Sequence, residues 1–260
     1  MARKAIEILL TEDERKRLQH IIRKRTSEQC IHFLLIGGEN MKSNKALVLK
    51  ITFLILILFK SVGADQKYIF TTDWVTANSE NWLKHLSQFK GKPNIHGLEI
   101  GTWEGRSAIW FLENILTHPS ATITCVDTFY WGEGTEDRFD KNIRASGLAQ
   151  KVKKIKGQSQ FVLMTLERSH YDFVYIDGCH RAACVLTDVI LSFYLTKPGG
   201  LIILDDYLYQ PDRKPIETPK IAIDAFLVIF KPYIEILDKK YQVIIKKKDL
   251  GLKEDININP

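Results

Sequence analysis

Four segments of this chain share one design. Leu98-Glu99-Ile100-Gly101, Ile123-Thr124-Cys125-Val126-Asp127, Phe173-Val174-Tyr175-Ile176-Asp177 and Leu201-Ile202-Ile203-Leu204-Asp205-Asp206 are apolar runs that finish on glycine or on carboxylates. Near-continuous apolar runs belong to strands buried on both faces, which is the situation inside a parallel sheet covered by helices. Helix-period stretches lie between them, notably Ser107–Leu116, Ala182–Phe193 and Ile221–Phe230. That alternation predicts an α/β domain with a mainly parallel sheet. Strands are expected at Ile95–Ile100, Thr122–Asp127, Val152–Lys156, Phe173–Asp177, Leu201–Asp205, Ile234–Leu237 and Tyr241–Lys246. Only Asp238-Lys239-Lys240 separates the last two, too little chain for a crossover, so they form an antiparallel hairpin. In such sheets ligands bind beyond the carboxyl ends of the strands, so the terminal acids should share one rim.

The 260 residues divide into four stretches. Residues 1–40 read as a basic helical extension, with Thr11 and Glu14 spaced as a capping box. Residues 41–66 are an apolar leader: Met41 and two lysines precede an apolar run at residues 46–59, followed by small residues. Three readings stay open for it: a signal or anchor with Met41 as the start, an interfacial helix, or a packing segment. Residues 67–250 form the α/β domain, and residues 251–260 a tail. The formal charge of +6 is unevenly spread, because residues 1–66 hold 12 Lys and Arg against 7 Asp and Glu. The α/β domain is close to neutral, so nucleic acid is not its expected partner. Membrane association is open only through residues 46–59, and the oligomeric state is not readable. Cys30, Cys125, Cys179 and Cys184 are too few and too scattered for a disulfide framework, and no CxxC suggests zinc. They read as plain thiols of a reducing compartment, which favours a cytoplasmic location unless the leader exports or anchors the chain.

The chemistry concentrates at the strand ends. Glu99-Ile100-Gly101-Thr102-Trp103-Glu104-Gly105 runs from a strand through a loop with glycines four apart into a helix. Small residues admit a ligand close to the backbone, and the helix start offers free N–H groups. The spacing is neither G-x-G-x-x-G nor a P-loop. Asp127, ending the next strand, is placed either to accept both ribose hydroxyls of a nucleoside or to cap a loop. Asp177, Asp205 and Asp206 would converge with no Lys or Arg among them, a repulsion that a hard divalent cation such as Mg²⁺ relieves. His180, three residues after Asp177, reaches the same mouth and is a natural general base near neutral pH.

The phrases LEIGTWEGRSAIWFLENIL, ITCVDTF, YDFVYIDGCH and KPGGLIILDDY together resemble class I S-adenosyl-L-methionine (SAM)-dependent methyltransferases, and most nearly the metal-dependent small-molecule and sugar O-methyltransferases. The likeness is colinear over roughly residues 68–248. It implies a Rossmann-like fold with a seven-stranded, mostly parallel sheet ending in the antiparallel hairpin. It also implies SAM contacts at Glu99, Gly101, Thr102, Gly105, Asp127, Gln158, Ser159 and Asp177, and Mg²⁺ at Asp177, Asp205 and Asp206. His180 takes the place of the base, drawing the proton from a hydroxyl of a small-molecule substrate. Relatives often carry Glu at the position of Asp205, so this arm of the metal site is shorter here. Trp103, Phe129, Tyr130, Trp131 and Tyr207 are candidate pocket walls, and Trp131-Gly132-Glu133-Gly134 a candidate lid. Tyr68–Trp82 would either cover the cofactor or simply dock.

Residues 1–35, through ILLTEDERKRLQHIIRKRTSEQ, are similar to the N-terminus of insertion-sequence transposases, although no recognition helix follows. Two alternatives therefore stand beside the metal-dependent enzyme. One is a metal-independent methyltransferase acting on another nucleophile. The other is a DNA- or membrane-associated fusion whose extension sets its function.

Overall fold

The computed structural model describes residues 67–210 and 212–249. The expectations for residues 1–40, for the leader with its run at 46–59, for Cys30 and for the tail lie outside the described residues. Lys67–Pro260 forms one compact unit.

In chain order the elements are α1 (Ser79–Leu86), β1 (His96–Ile100), α2 (Arg106–Asn114), β2 (Thr122–Asp127), α3 (Thr135–Ser146), β3 (Val152–Lys156) and α4 (Ser159–Leu163). There follow β4 (Tyr171–Ile176), α5 (Ala182–Leu195), β5 (Thr196–Leu204), α6 (Pro219–Ile229), β6 (Ile234–Lys239) and β7 (Val243–Lys247). The seven strands lie in the order β3-β2-β1-β4-β5-β7-β6. β1 to β5 are parallel, while β7 runs antiparallel to both β5 and β6. This is the expected sheet with its terminal hairpin. Strand order reverses between β1 and β4, so the crevice for a ligand opens above their carboxyl ends.

The apolar runs divide themselves between two cores by the period of two along a strand. Leu98, Ile100, Val126, Val174, Ile176, Ile202 and Leu204 pack with α5 and α6. Ile123, Cys125, Phe173, Tyr175, Leu201, Ile203 and Ile244 pack on the other face with Trp82, Phe111 and Leu112. Trp82 is the keystone of this second core: fully buried, it lies 4.9 Å from the Phe111 ring and 5.1 Å from the Tyr175 ring. Each such ring pair adds about 0.5–1.5 kcal/mol beyond the area buried.

β5 begins at Thr196, ahead of the expected Leu201. Pro198-Gly199-Gly200 reads as a turn, but Thr196 already pairs with Tyr171, and the three residues are absorbed as an irregularity before Leu201 pairs with Phe173. α3 was not among the helices singled out from sequence; left-handed glycines bound it at both ends, Gly134 (φ 71°) before and Gly147 (φ 76°) after.

The stretch ahead of α1 straps across the start of α2. Glu104, 1% exposed, accepts from the Thr71 N–H (2.6 Å) and hydroxyl (2.8 Å) and pairs with Arg138 Nε (2.5 Å). Asn142 holds the Ile69 backbone through both ends of its amide, at 2.6 and 2.9 Å. Arg106 reaches Asp73 at 2.7 Å. Among the described residues, no helix is long and apolar enough to cross a membrane.

Candidate active site

Every carboxylate expected in the site does lie at the carboxyl end of a strand, but the acids split into two groups with different surroundings. The first group belongs to β1 and β2. Glu99 is fully buried and accepts hydrogen bonds from Thr102 Oγ1 (2.7 Å), from Ser107 Oγ and, more weakly, from Cys125 Sγ (3.6 Å). Burial pushes its carboxyl up to about 7, against the pull of these donors. Asp127 is half-buried and accepts three backbone N–H groups: Thr102 (2.8 Å) and Trp103 (2.9 Å) on Oδ2, and Phe129 (2.7 Å) on Oδ1. A carboxylate offers about four lone-pair sites, so Asp127 keeps room for one more donor. The loop between β1 and α2 is thus tied from below by Glu99 and from the side by Asp127.

Two glycines make that loop possible. Gly101 sits at φ 80°, and a Cβ there would lie 2.0 Å from the Asp177 carbonyl oxygen, so the ends of β1 and β4 touch through it. Gly105, also at φ 80°, starts α2 and leaves no room for a Cβ beside Phe139. Trp103 (φ 47°), Phe129 (φ 51°) and Asp206 (φ 58°) follow β1, β2 and β5 in the left-handed region that side chains disfavour. Each stands in the loop that leaves the carboxyl end of its strand.

The second group belongs to β4 and β5. Single ligand atoms of Asp177, His180 and Asp206 all lie within 4.8 Å of one another. His180 Nε2 stands 2.9 Å from Asp206 and 3.7 Å from Asp177, and its ring meets Tyr209 edge-on at 4.6 Å. Asp177 is pushed up to about 7, chiefly by burial. His180 is raised to about 10 by its hydrogen bonds to Asp177 and Asp206, so with these two carboxylates as its neighbours it holds its proton at neutral pH. Gly178 and Cys179 complete the cleft floor beside it.

Asp205 departs from expectation. Rather than facing Asp177 and Asp206 as a third ligand, it is turned inward. Its Oδ2 accepts from the Tyr175 hydroxyl and from Gln242 Nε2 (2.8 Å), and its Oδ1 from the Asp206 N–H (2.7 Å). Burial raises its pKa as well. The side chains that could hold a cation together are therefore Asp177, His180 and Asp206, with Asp205 behind them.

The remaining expected residues are placed as follows. Thr102 is buried between Glu99 and Asp127. Gln158 is exposed and bonded to Gln160, and Ser159 opens α4. Of the candidate pocket walls, Phe129 and Tyr207 are buried, Phe129 against Phe139 and Tyr207 with its hydroxyl on Asp224 (2.9 Å). Tyr130 and Trp131 are 80% and 73% exposed. Trp103 packs against Gly132 and lies 6.0 Å from Trp74, linking the candidate lid to the strap. Tyr68–Trp82 contributes a docking helix through Trp82 rather than one uniform cover. Cys125 is buried, Cys179 exposed and Cys184 between the two, all as free thiols.

Sequence reasoning missed Tyr175, Tyr241 and Gln242. Tyr241 donates to Asp206 (2.7 Å) and Gln242 to Asp205, so the β6–β7 turn supports both acids from outside the strands that carry them. A signal for Tyr175 was available: it lies two residues before Asp177, hence on the same face, and a phenol inside an apolar central strand needs a partner.

With this geometry in view, the comparisons with known proteins can be set beside it. Residues 98–207 match the family model described as a methyltransferase domain. The fold is the Rossmann-like methyltransferase fold. The O-methyltransferase TomG from Streptomyces achromogenes, solved with SAM, superposes with a TM-score of 0.54 at 15% identity, covering 68% of this chain and 82% of that one. An O-methyltransferase from Bacillus cereus, solved with SAH, gives 0.52 at 17% identity over 81% and 94% of the two chains. An uncharacterized protein, R132, of Acanthamoeba polyphaga mimivirus is 27% identical over 172 residues, 62% of this chain and 72% of its own length. The family match does not reach residues 1–35, and their likeness to a transposase lies outside the described residues.

Proposed function

We propose that this protein is a SAM-dependent methyltransferase that methylates a hydroxyl oxygen of a small molecule or sugar, assisted by a divalent cation, Mg²⁺ by donor chemistry. The observation that carries the reading is the convergence of Asp177, His180 and Asp206 at the mouth next to the glycine loop. Two carboxylate oxygens, from Asp177 and Asp206, are hard donors that leave water positions open, which suits such an ion, and the His180 imidazole stands beside them as the proton acceptor. That the structurally similar TomG and Bacillus cereus proteins are O-methyltransferases supports the choice of nucleophile.

The residues that would hold SAM are the Gly101–Gly105 loop, with Glu99 fixing it from beneath, Asp127 with its spare acceptor capacity, and Gln158 and Ser159 beyond β3. Bound there, SAM supplies an activated methyl group. Asp177 and Asp206 would hold the cation, which as a Lewis acid lowers the pKa of an acceptor hydroxyl. Asp205 keeps Asp206 in place through its backbone N–H. His180 keeps its proton while it faces two uncompensated carboxylates. With a cation on those carboxylates its imidazole would lie nearer its ordinary pKa, and Nε2 would be placed to take the acceptor's proton. The loop and strap hold the reacting groups in line and limit water, so positioning and electrostatics supply most of the acceleration.

Calorimetry with SAM tests the cofactor half: wild type binds, and Asp127→Ala, which orphans three loop N–H groups, weakens binding by about 100-fold. Transfer of labelled methyl to a panel of hydroxylated small molecules tests the rest. Loss of transfer with EDTA and with Asp206→Ala is expected; transfer that survives both overturns the cation reading.

A further inference from the structure

A chain of buried polar side chains runs from α1 to the acid site, and neither the glycine loop nor the cation donors account for it. Trp82 Nε1 donates to Gln242 Oε1 (2.9 Å), and Gln242 Nε2 donates to Asp205 Oδ2 (2.8 Å). The Tyr175 hydroxyl meets that same Asp205 oxygen and also lies 3.0 Å from Asp177 Oδ2. Trp82, Tyr175 and Gln242 are 0%, 3% and 3% exposed, so no water competes for these bonds. Buried polar groups persist in a core only when partnered, and here the partners are the two acids themselves.

The geometry fixes what each acid can present. Tyr175 engages Oδ2 of Asp177, which leaves Oδ1 as the oxygen facing His180 Nε2. Asp205 has Oδ2 filled by Tyr175 and Gln242, so Oδ1 receives the Asp206 N–H and holds that residue in its left-handed conformation. The phenol has one proton for two carboxylate oxygens. It therefore stands between Asp177 and Asp205, and leaves the outward oxygens of Asp177 and Asp206 for the mouth. We propose that Tyr175, backed by Gln242 and Trp82, is a positioning residue that sets Asp177 directly, and Asp206 by way of Asp205, for cation binding and ties that site to the docking of α1. This rests on the reading that Asp177 and Asp206 hold a divalent cation.

The test is Mn²⁺ binding to the full chain, followed by electron paramagnetic resonance, with SAM affinity by calorimetry and thermal melting as controls. Tyr175→Phe keeps the ring against Trp82 and Phe111 and removes only the hydroxyl. The expected result is a loss of about 10–100-fold in Mn²⁺ affinity with SAM affinity unchanged, the usual size for an outer residue that orients a ligand. Trp82→Phe, which removes the donor at the far end, should give a smaller loss in the same direction. Wild-type protein that binds no Mn²⁺ overturns the cation reading and this inference with it. Wild type that binds, beside a folded Tyr175→Phe that binds equally well, overturns this inference alone, as does a parallel fall in SAM affinity. Should Tyr175→Phe not fold, Gln242→Met and Trp82→Phe decide: unchanged Mn²⁺ affinity in both overturns it.

Discussion

The acids above β1 and β2 and those above β4 and β5 occupy equivalent places in one sheet, yet their hydrogen-bond balance is opposite. Glu99 and Asp127 are surrounded by donors, three side chains on one and three backbone N–H groups on the other. Asp205 also has three donors, but Asp177 relies on shared ones: the Tyr175 phenol faces Asp177 and Asp205, and His180 faces Asp177 and Asp206, which accepts from Tyr241 as well. The first pair is held by protein donors, with one acceptor place left on Asp127, and makes a rigid loop. The second set is short of positive charge, and His180 fills the deficit only by holding a proton that a base must give up. A preformed cradle on one side of the crevice and a charge-deficient cleft on the other is what a reaction needs when one partner is bound by shape and the other activated by charge.

The largest effect that separates the two halves is the dependence of stability on pH. Glu99 titrates near 4.5 when unfolded and about 7 when folded. Its contribution to stability is fully present below about pH 4.5 and is lost as pH rises through about 7, because the native state holds the proton longer than the unfolded chain. The difference amounts to roughly 3 kcal/mol. Asp177, also raised to about 7, adds a slope of the same sign. Glu99→Gln should remove the first part and leave the second. Chemical denaturation of wild type and variant between pH 5 and pH 8 measures this; identical slopes would break the distinction.

Next in size is the response to Mg²⁺. At 100 times its dissociation constant, a ligand that binds only the folded state stabilises it by about 2.7 kcal/mol. In a domain of this length that raises Tm by about 5–10 °C. Wild type and Glu99→Gln should both show the shift, and Asp206→Ala should not. Where Mg²⁺ produces that shift, the Asp177 part of the pH slope should disappear, since a neighbouring cation favours the ionised carboxylate. Differential scanning calorimetry with and without EDTA reads both effects.

The two halves were also legible to different degrees. The strands, their order of appearance and the rim they share follow from apolar runs that end in acids, and Thr122–Asp127 and Val152–Lys156 lie where the pattern put them. The acids of the second half were legible as acids, but the inward turn of Asp205 was not. It depends on Gln242, 37 residues away across an antiparallel pairing, and on a tyrosine that reads as core. In the first half, Glu99 looks like a ligand-facing residue because it precedes a glycine loop. Its burial is decided by Ser107 and Cys125, which reach it from α2 and β2. A strand pattern shows which residues reach an edge; which way each side chain turns there is settled by donors that arrive from elsewhere.

The smallest test works inside the satisfied half. Ser107→Ala removes one of the three donors on Glu99 and nothing else that the carboxylate uses. A hydrogen bond to a charged group contributes about 1.5–3 kcal/mol, and one between neutral groups about 0.5–1.5 kcal/mol. At pH 8, where Glu99 is ionised, the substitution should therefore cost about 2 kcal/mol. At pH 5, where Glu99 keeps its proton in the folded state, the cost should fall to about 1 kcal/mol. The direction follows from Glu99 alone: with one donor fewer its anion is less stable, its pKa rises further, and the loss of stability toward high pH steepens. A mutational cost that is the same at both pH values would mean that Ser107 does not address the charge on Glu99. The cradle would then be held by packing around Gly101 and Gly105, and the contrast with the charge-deficient side would reduce to geometry.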